Sequence, residues 1–216
     1  MATDASRILV CFTVEEEAAP FRRKCQGTNS PAILITGMGQ ANASAALQKY
    51  FATSQPQLVL TCGFAGGLNP VLTPCTVIFS EDDRVGLTSL LKELGAVPAK
   101  FHCSKRVATT AKEKLQLRES TGADVVEMES CVIRELCRER QIPSATIRVI
   151  SDASNEALPL DFNALMTPDY RIIFPRLLGQ LVRSPGRIPA LLRLQKRTKQ
   201  AAERLAEVLV KLLQRI

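Results

Sequence analysis

Short apolar runs recur along the chain at 8–14 (ILVCFTV), 32–36 (AILIT), 58–61 (LVLT), 76–79 (TVIF) and 144–150 (SATIRVI). They are the feature that most restricts the fold. Continuous aliphatic and β-branched segments without polar alternation read as strands buried on both faces. Helical patterns separate them: an Ala-rich stretch over 40–51, shorter ones over 88–94 and 110–119, and 130–137, whose apolar positions 132, 133, 136 and 137 share one face. Nothing between them reads as a linker. The alternation predicts one α/β domain over residues 1–216, with a mixed, partly closed central sheet flanked by helices.

The strand ends carry the chemistry. The first run stops on Glu15-Glu16-Glu17, the second on Gly37-Met38-Gly39, and the third on Cys62-Gly63-Phe64-Ala65-Gly66-Gly67. A further short strand, Val125-Val126, leads into Glu127-Met128-Glu129-Ser130, and the last run stops on Ser151-Asp152. In an open α/β sheet, ligands bind beyond the carboxyl ends of strands, so these segments are expected to converge. Each acid also has a plainer reading, because carboxylates favour the first turn of a helix. Glu127 keeps that reading. Glu17, Glu129 and Asp152 occupy equivalent strand ends and read as a set. Arg148, inside the last strand, needs an acidic partner if it is buried. Gly37-Met38-Gly39 before a helix is a geometry that turns backbone N–H groups toward an anion. A dinucleotide fingerprint would need glycine at 42, which is Asn42, so no nucleotide cofactor is expected. The third run is expected to end at Thr61 and to give way to a glycine-rich loop.

Composition excludes several classes. The seven cysteines are odd in number and form no C-x-x-C pair, which argues against a disulfide framework and a zinc site, and suits a reducing cytoplasm. A single histidine, His102, makes a Ser-His-Asp triad and two-histidine metal sites poor readings, and no metal is expected. Three glutamates follow the first apolar run and no basic region precedes it, so it reads as a strand and not as a signal peptide. The net charge of +7 lies in the tail: residues 183–216 hold nine Lys or Arg and two Glu, while the first 182 residues balance. A nucleic-acid partner therefore finds no support. The tail reads as a helix at 171–183, a break at Ser184-Pro185-Gly186, and a basic amphipathic helix from Pro189 onward, within 185–216. Its apolar stripe is wide enough to dock on the sheet; contact with a membrane surface is the alternative.

Three carboxylates and a glycine-rich wall point to glycosyl chemistry. Breaking a C–N bond at an anomeric carbon passes through an oxocarbenium-like cation. It needs an acid for the leaving group, a base for water, and acceptors for the sugar hydroxyls, and carboxylates serve all three.

The segments Val14-Glu15-Glu16-Glu17, Gly37-Met38-Gly39-Gln40-Ala41, Gly63-Phe64-Ala65-Gly66-Gly67-Leu68, Val126-Glu127-Met128-Glu129-Ser130 and Arg148-Val149-Ile150-Ser151-Asp152 follow one another in an order that resembles the nucleoside phosphorylase and nucleosidase superfamily, in particular methylthioadenosine/S-adenosylhomocysteine nucleosidase. The second half resembles one branch more closely, the hopanoid-associated phosphorylases, through Val107 to Lys114, Thr121-Gly122-Ala123-Asp124, Ala157-Leu158-Pro159 and the tail from Pro185 to Arg197. The resemblance implies cleavage of the N-glycosidic bond of a purine, adenosyl-type nucleoside in a cytoplasmic homo-oligomer. Glu17 would activate water, Asp152 would protonate N7 of the leaving purine, and Ser151 would orient Asp152. Glu129 would bind the ribose hydroxyls with Met128 packed on the sugar. Gly63, Phe64, Ala65 and Gly66 would line ribose and base, and Gly37 and Gly39 would belong to the binding site. Phe64 stands where the family often carries a hydroxyl that helps hold phosphate. Glu17 favours water, and the branch favours phosphate as co-substrate and a lipid-linked adenosyl nucleoside as substrate. Hydrolysis is placed first. The rivals are a non-catalytic nucleoside-binding protein on the same fold and a membrane-surface protein.

Overall fold

The computed structural model describes residues 7–25, 30–167 and 185–216. The expected helix at 171–183 and Ser184 of the break after it lie outside the described residues, and Pro185–Arg187 form a single 3-10 turn before the last helix. Strands β1 (Ile8–Phe12), β2 (Ala32–Ile35), β3 (Leu58–Gly67), β4 (Val77–Glu81), β5 (Val97–Pro98), β6 (Phe101–Cys103), β7 (Val125–Glu127) and β8 (Ser144–Asp152) form one sheet. The helices are α1 (Glu15–Lys24), α2 (Gln40–Phe51), α3 (Thr88–Glu93), α4 (Ala111–Thr121), α5 (Ser130–Glu139), the single turn α6 (Phe162–Leu165) and α7 (Ile188–Leu213).

The sheet is mixed, and its main path runs β2-β1-β3-β8-β4-β5. β2, β1, β3 and β8 are parallel; β4 runs antiparallel to β8. Period-two alternation sorts β1 between two cores. Ile8, Val10 and Phe12 face α1 and α7, with Leu205, Leu209 and Leu212 packed on them. Leu9 and Cys11 face α2 and α5, against Leu47, Ile133 and Cys137. The tail helix therefore docks on the sheet through 201–212, while Ile188 and Leu192 near its start are 43% and 60% exposed.

Two expectations change. The sheet does not close among the described residues; it branches. β1 leaves the edge of β3 at Cys62, and β7 joins it, antiparallel, from Gly66. The glycine segment is consequently not a loop. β3 continues through it to Gly67, because parallel pairing with β8 persists past Gly63 and Phe64 to a bulge at Ala65/Gly66. Glycine is compatible with strand when the neighbouring backbone supplies the ladder, and the propensity signal at 62–67 hid this. β5 and β6, two and three residues long, left no readable periodicity either.

Candidate active site

The gap between the ends of β1 and β7 leaves a short stretch of β3 edge without a strand neighbour. Side chains fill it. Glu17 lies in the first turn of α1, directly after β1, and folds back. Its Oε2 accepts from the N–H groups of Thr13 (2.9 Å) and Val14 (3.3 Å), and its Oε1 accepts from Phe64 N–H at 2.8 Å. The same carboxylate therefore caps a helix and replaces a missing strand. Burial pushes its pKa up to about 7, against the opposing pull of Arg148 and the backbone donors. A carboxylate balanced near neutrality suits a general base.

Gly63 makes this approach feasible. Its φ of +141° is disfavoured for other residues, and a Cβ there would sit 2.6 Å from both Arg148 Nη1 and Glu17 Oε2. Arg148, 1% exposed, projects from β8 into this space. It donates to Glu127 Oε2 (2.9 Å), Cys62 O (3.0 Å) and Thr13 Oγ1 (3.4 Å), and lies 3.5 Å from Glu129 Oε2. Burial opposes its charge, but Glu127, Glu129 and Glu17 together outweigh burial and raise its pKa. One cation is thus shared by three acids.

The acids divide the work. Glu127 accepts from the N–H groups of Glu129 (3.0 Å) and Ser130 (2.8 Å) and from the Ser130 hydroxyl (2.8 Å), capping α5. Burial works against its charge, yet Arg148 and these donors hold its pKa below the usual carboxylate value. Its helix-start reading is therefore correct, and it is also the acidic partner that Arg148 required. Glu129 accepts from Gly39 N–H (2.8 Å) and the Thr13 hydroxyl (3.4 Å), and burial, reinforced by Glu127, raises its pKa despite Arg148. The anion served by the Gly-x-Gly turn is this protein carboxylate.

Asp152 closes the far side. Its Oδ1 accepts from the Ser151 hydroxyl at 2.5 Å, and its Oδ2 accepts from Lys114, a lysine with a fully buried side chain on α4. Glu17, Glu129, Asp152, Met128 and Ser151 line one cavity of about 260 Å³, with Phe64, Ala65 and Gly66 in its wall. Among the site residues read from sequence, Gly37, Gly39 and Gly63 stand behind this wall. Gly37, with φ +77°, turns β2 toward α2; Gly39 fixes Glu129; Gly63 makes room for Glu17 and Arg148. Sequence reasoning did not place Thr13, Arg148 or Lys114 in the site. A buried-strand arginine was the one available signal; Lys114 sits in a polar helix whose pattern does not mark it. Among the described residues no three His, Cys, Asp or Glu side chains group as metal ligands.

The fold and the three carboxylates in one cavity resemble what the motifs implied, and comparison with known proteins points the same way. Residues 87–182 match the family model described as Phosphorylase superfamily. The chain is 23% identical over 164 residues to 5′-methylthioadenosine/S-adenosylhomocysteine nucleosidase of Marinomonas sp. (strain MWYL1), covering 60% of this chain and 71% of that protein. Its fold is similar to that of the same nucleosidase from Campylobacter jejuni, with a TM-score of 0.71, 14% identity, and coverage of 97% of this chain and 99% of that one. It is also similar to futalosine hydrolase of Helicobacter pylori, with a TM-score of 0.69, 15% identity and 97% of each chain covered. The chain thus resembles the superfamily that its motifs implied.

Proposed function

We propose that this chain is a purine nucleosidase that hydrolyses the N-glycosidic bond of an adenosine-type nucleoside. The observation that carries the reading is Glu17: a carboxyl group poised near neutrality, in one cavity with Glu129, Met128 and Asp152. Glu17 takes a proton from water as the water attacks C1′. Glu129, fixed by Gly39 and Thr13, accepts from ribose hydroxyls as the ring becomes cationic, and Met128 packs on the sugar. Asp152, oriented by Ser151, gives a proton to N7 of the departing purine. A general acid and a general base are each worth roughly 10²–10⁴ in rate. The test is adenine release from 5′-methylthioadenosine by Glu129→Gln and Asp152→Asn. Both variants lose activity by about 100-fold or more on this account. Unchanged release by both overturns the catalytic assignment, and no release by the wild type supports the rival, a nucleoside-binding protein without catalysis.

A second reading has its own observation. Beyond the sugar region the cavity is walled by Val107, Leu158, Phe162 and Leu194, the last from α7. Exposed Ile188 and Leu192 stand on that helix with Arg193, Lys196 and Lys199, and Arg187 directly precedes it. This suits a lipid-linked adenosyl nucleoside presented at an anionic membrane surface, with phosphate as the nucleophile. No helix of the described residues is long and apolar enough to cross a membrane. Sedimentation with anionic and neutral liposomes separates the two readings. Self-association is proposed as well, and light scattering on the purified chain decides it. Seven free cysteines suit the proposed cytoplasmic setting.

A further inference from the structure

Lys114 is the only lysine buried among the described residues, and it sits at 0% exposure. α4 delivers it from a well-fixed start. Thr110 caps the helix, and Glu113 accepts from the N–H groups of Thr109 (2.9 Å) and Thr110 (3.1 Å) while pairing with Arg106. All three ammonium protons are used: Lys114 Nζ donates to Asp152 Oδ2, to Ala153 O at 2.7 Å and to Glu156 O at 2.8 Å.

This arrangement couples Asp152 to a second proton donor. Oδ2 accepts from Lys114, while Oδ1 lies 2.5 Å from the Ser151 hydroxyl, whose one proton also has Ala65 O at 3.2 Å as an acceptor. Removing a lone acid's proton is simple chemistry, but here the nearest proton is on the ammonium. Resting on the purine nucleosidase reading, we propose that Lys114 is a positioning residue that supplies, through Asp152, the proton taken up by the leaving purine.

The step balances. The C1′–N9 bond breaks and its electron pair stays on the purine. A carboxylate oxygen of Asp152 takes a proton from Lys114 Nζ, and the carboxyl so formed gives it to N7. Asp152 ends as a carboxylate and Lys114 as a neutral amine, which solvent reprotonates between turnovers. The charged surroundings are few. Glu156 follows Asp152 in chain and is tied to Arg197 of α7 at 2.8 Å; Glu113, beside Lys114 on α4, is tied to Arg106. Glu17, Glu127, Glu129 and Arg106 line the same cavity as Asp152, and Arg148 stands behind Glu129 at 3.5 Å.

The experiment compares wild type with Lys114→Met and Lys114→Gln on two substrates between pH 5 and 9. One is an adenine nucleoside. The other is p-nitrophenyl riboside, whose phenolate leaves without a proton. The expected result is a loss of about 100-fold in adenine release at pH 8 that narrows to within about threefold at pH 5, where solution protonates the lone carboxyl, with aryl riboside cleavage unchanged. Equal loss on both substrates, or a loss independent of pH, overturns the relay and leaves Lys114 a structural tie. Asp152→Asn separates the two levels. If it keeps full adenine release, the acid assignment itself fails; if it is slow while both Lys114 variants are fast, only the relay fails. Circular dichroism checks folding. Should neither variant fold, wild type decides: adenine release that holds its plateau from pH 7.5 to 9 supports the relay, and a fall across that range contradicts it.

Discussion

Glu17 is where the electrostatics of this site become measurable. Burial lifts its pKa from 4.5 to about 7, and the base role needs the ionised form. Lowering the pH from 8 to 5.5 leaves only about 3% of it ionised, so kcat for adenine release falls about 30-fold, with a midpoint near neutrality. The same shift acts on stability. The folded-state value lies above the unfolded one, so the stabilising contribution is complete below about pH 4.5 and is lost as pH rises through 7. At 1.36 kcal/mol per unit, Glu17 costs the fold about 3 kcal/mol above neutrality. Glu129 is raised by burial too and acts in the same direction; Glu127 is lowered and loses its contribution only as the pH falls toward acid. Urea titrations at pH 5 and pH 8, beside pH–rate profiles of wild type and Glu17→Gln, read both effects. A flat profile between pH 5.5 and 8, together with equal stability at the two pH values, refutes the reasoning about this carboxylate.

Three further outcomes follow from the same network. Arg148→Met strips the cation from three acids and costs about 3–5 kcal/mol by leaving buried charge unpaired; where enough protein folds, the activity midpoint moves to higher pH because Arg148 lowers both Glu17 and Glu129. Gly63→Ala forces a Cβ to within 2.6 Å of Arg148 and Glu17 at a positive φ, and is expected to abolish adenine release while a denaturation curve shows about 1–3 kcal/mol of strain. Thr110→Ala removes the side-chain cap of α4 and lowers stability by about 1 kcal/mol, read as a drop in Tm.

The strands buried on both faces announced themselves by uninterrupted apolar runs, so β1, β2, β4 and β8 were legible within a residue or two. α2 was legible to the residue, since alanine-rich periodicity leaves little choice of conformation. The three acids at strand ends were legible as a set because topology alone brings such ends together. The glycine segment misled, because its strand character comes from β8 beside it and not from its own residues. Glu127 and Arg148 illustrate the remaining limit. Each looked odd alone, an acid beside a strand and a cation inside one, and only the register of β7 and β8 against β3 joins them. Lys114 left no trace in sequence pattern, since one lysine among the polar residues of α4 resembles any solvated helix face until its tip is found at Asp152.

The central claim is hydrolysis of an N-glycosidic bond, and product analysis tests it most directly. Purified protein is incubated with 5′-methylthioadenosine or adenosine in phosphate-free buffer, and the sugar is followed by NMR. The account predicts adenine and a free ribose in equal amounts, unaffected by added phosphate. Turnover only with phosphate, yielding a ribose 1-phosphate, or no release of adenine at all, contradicts it.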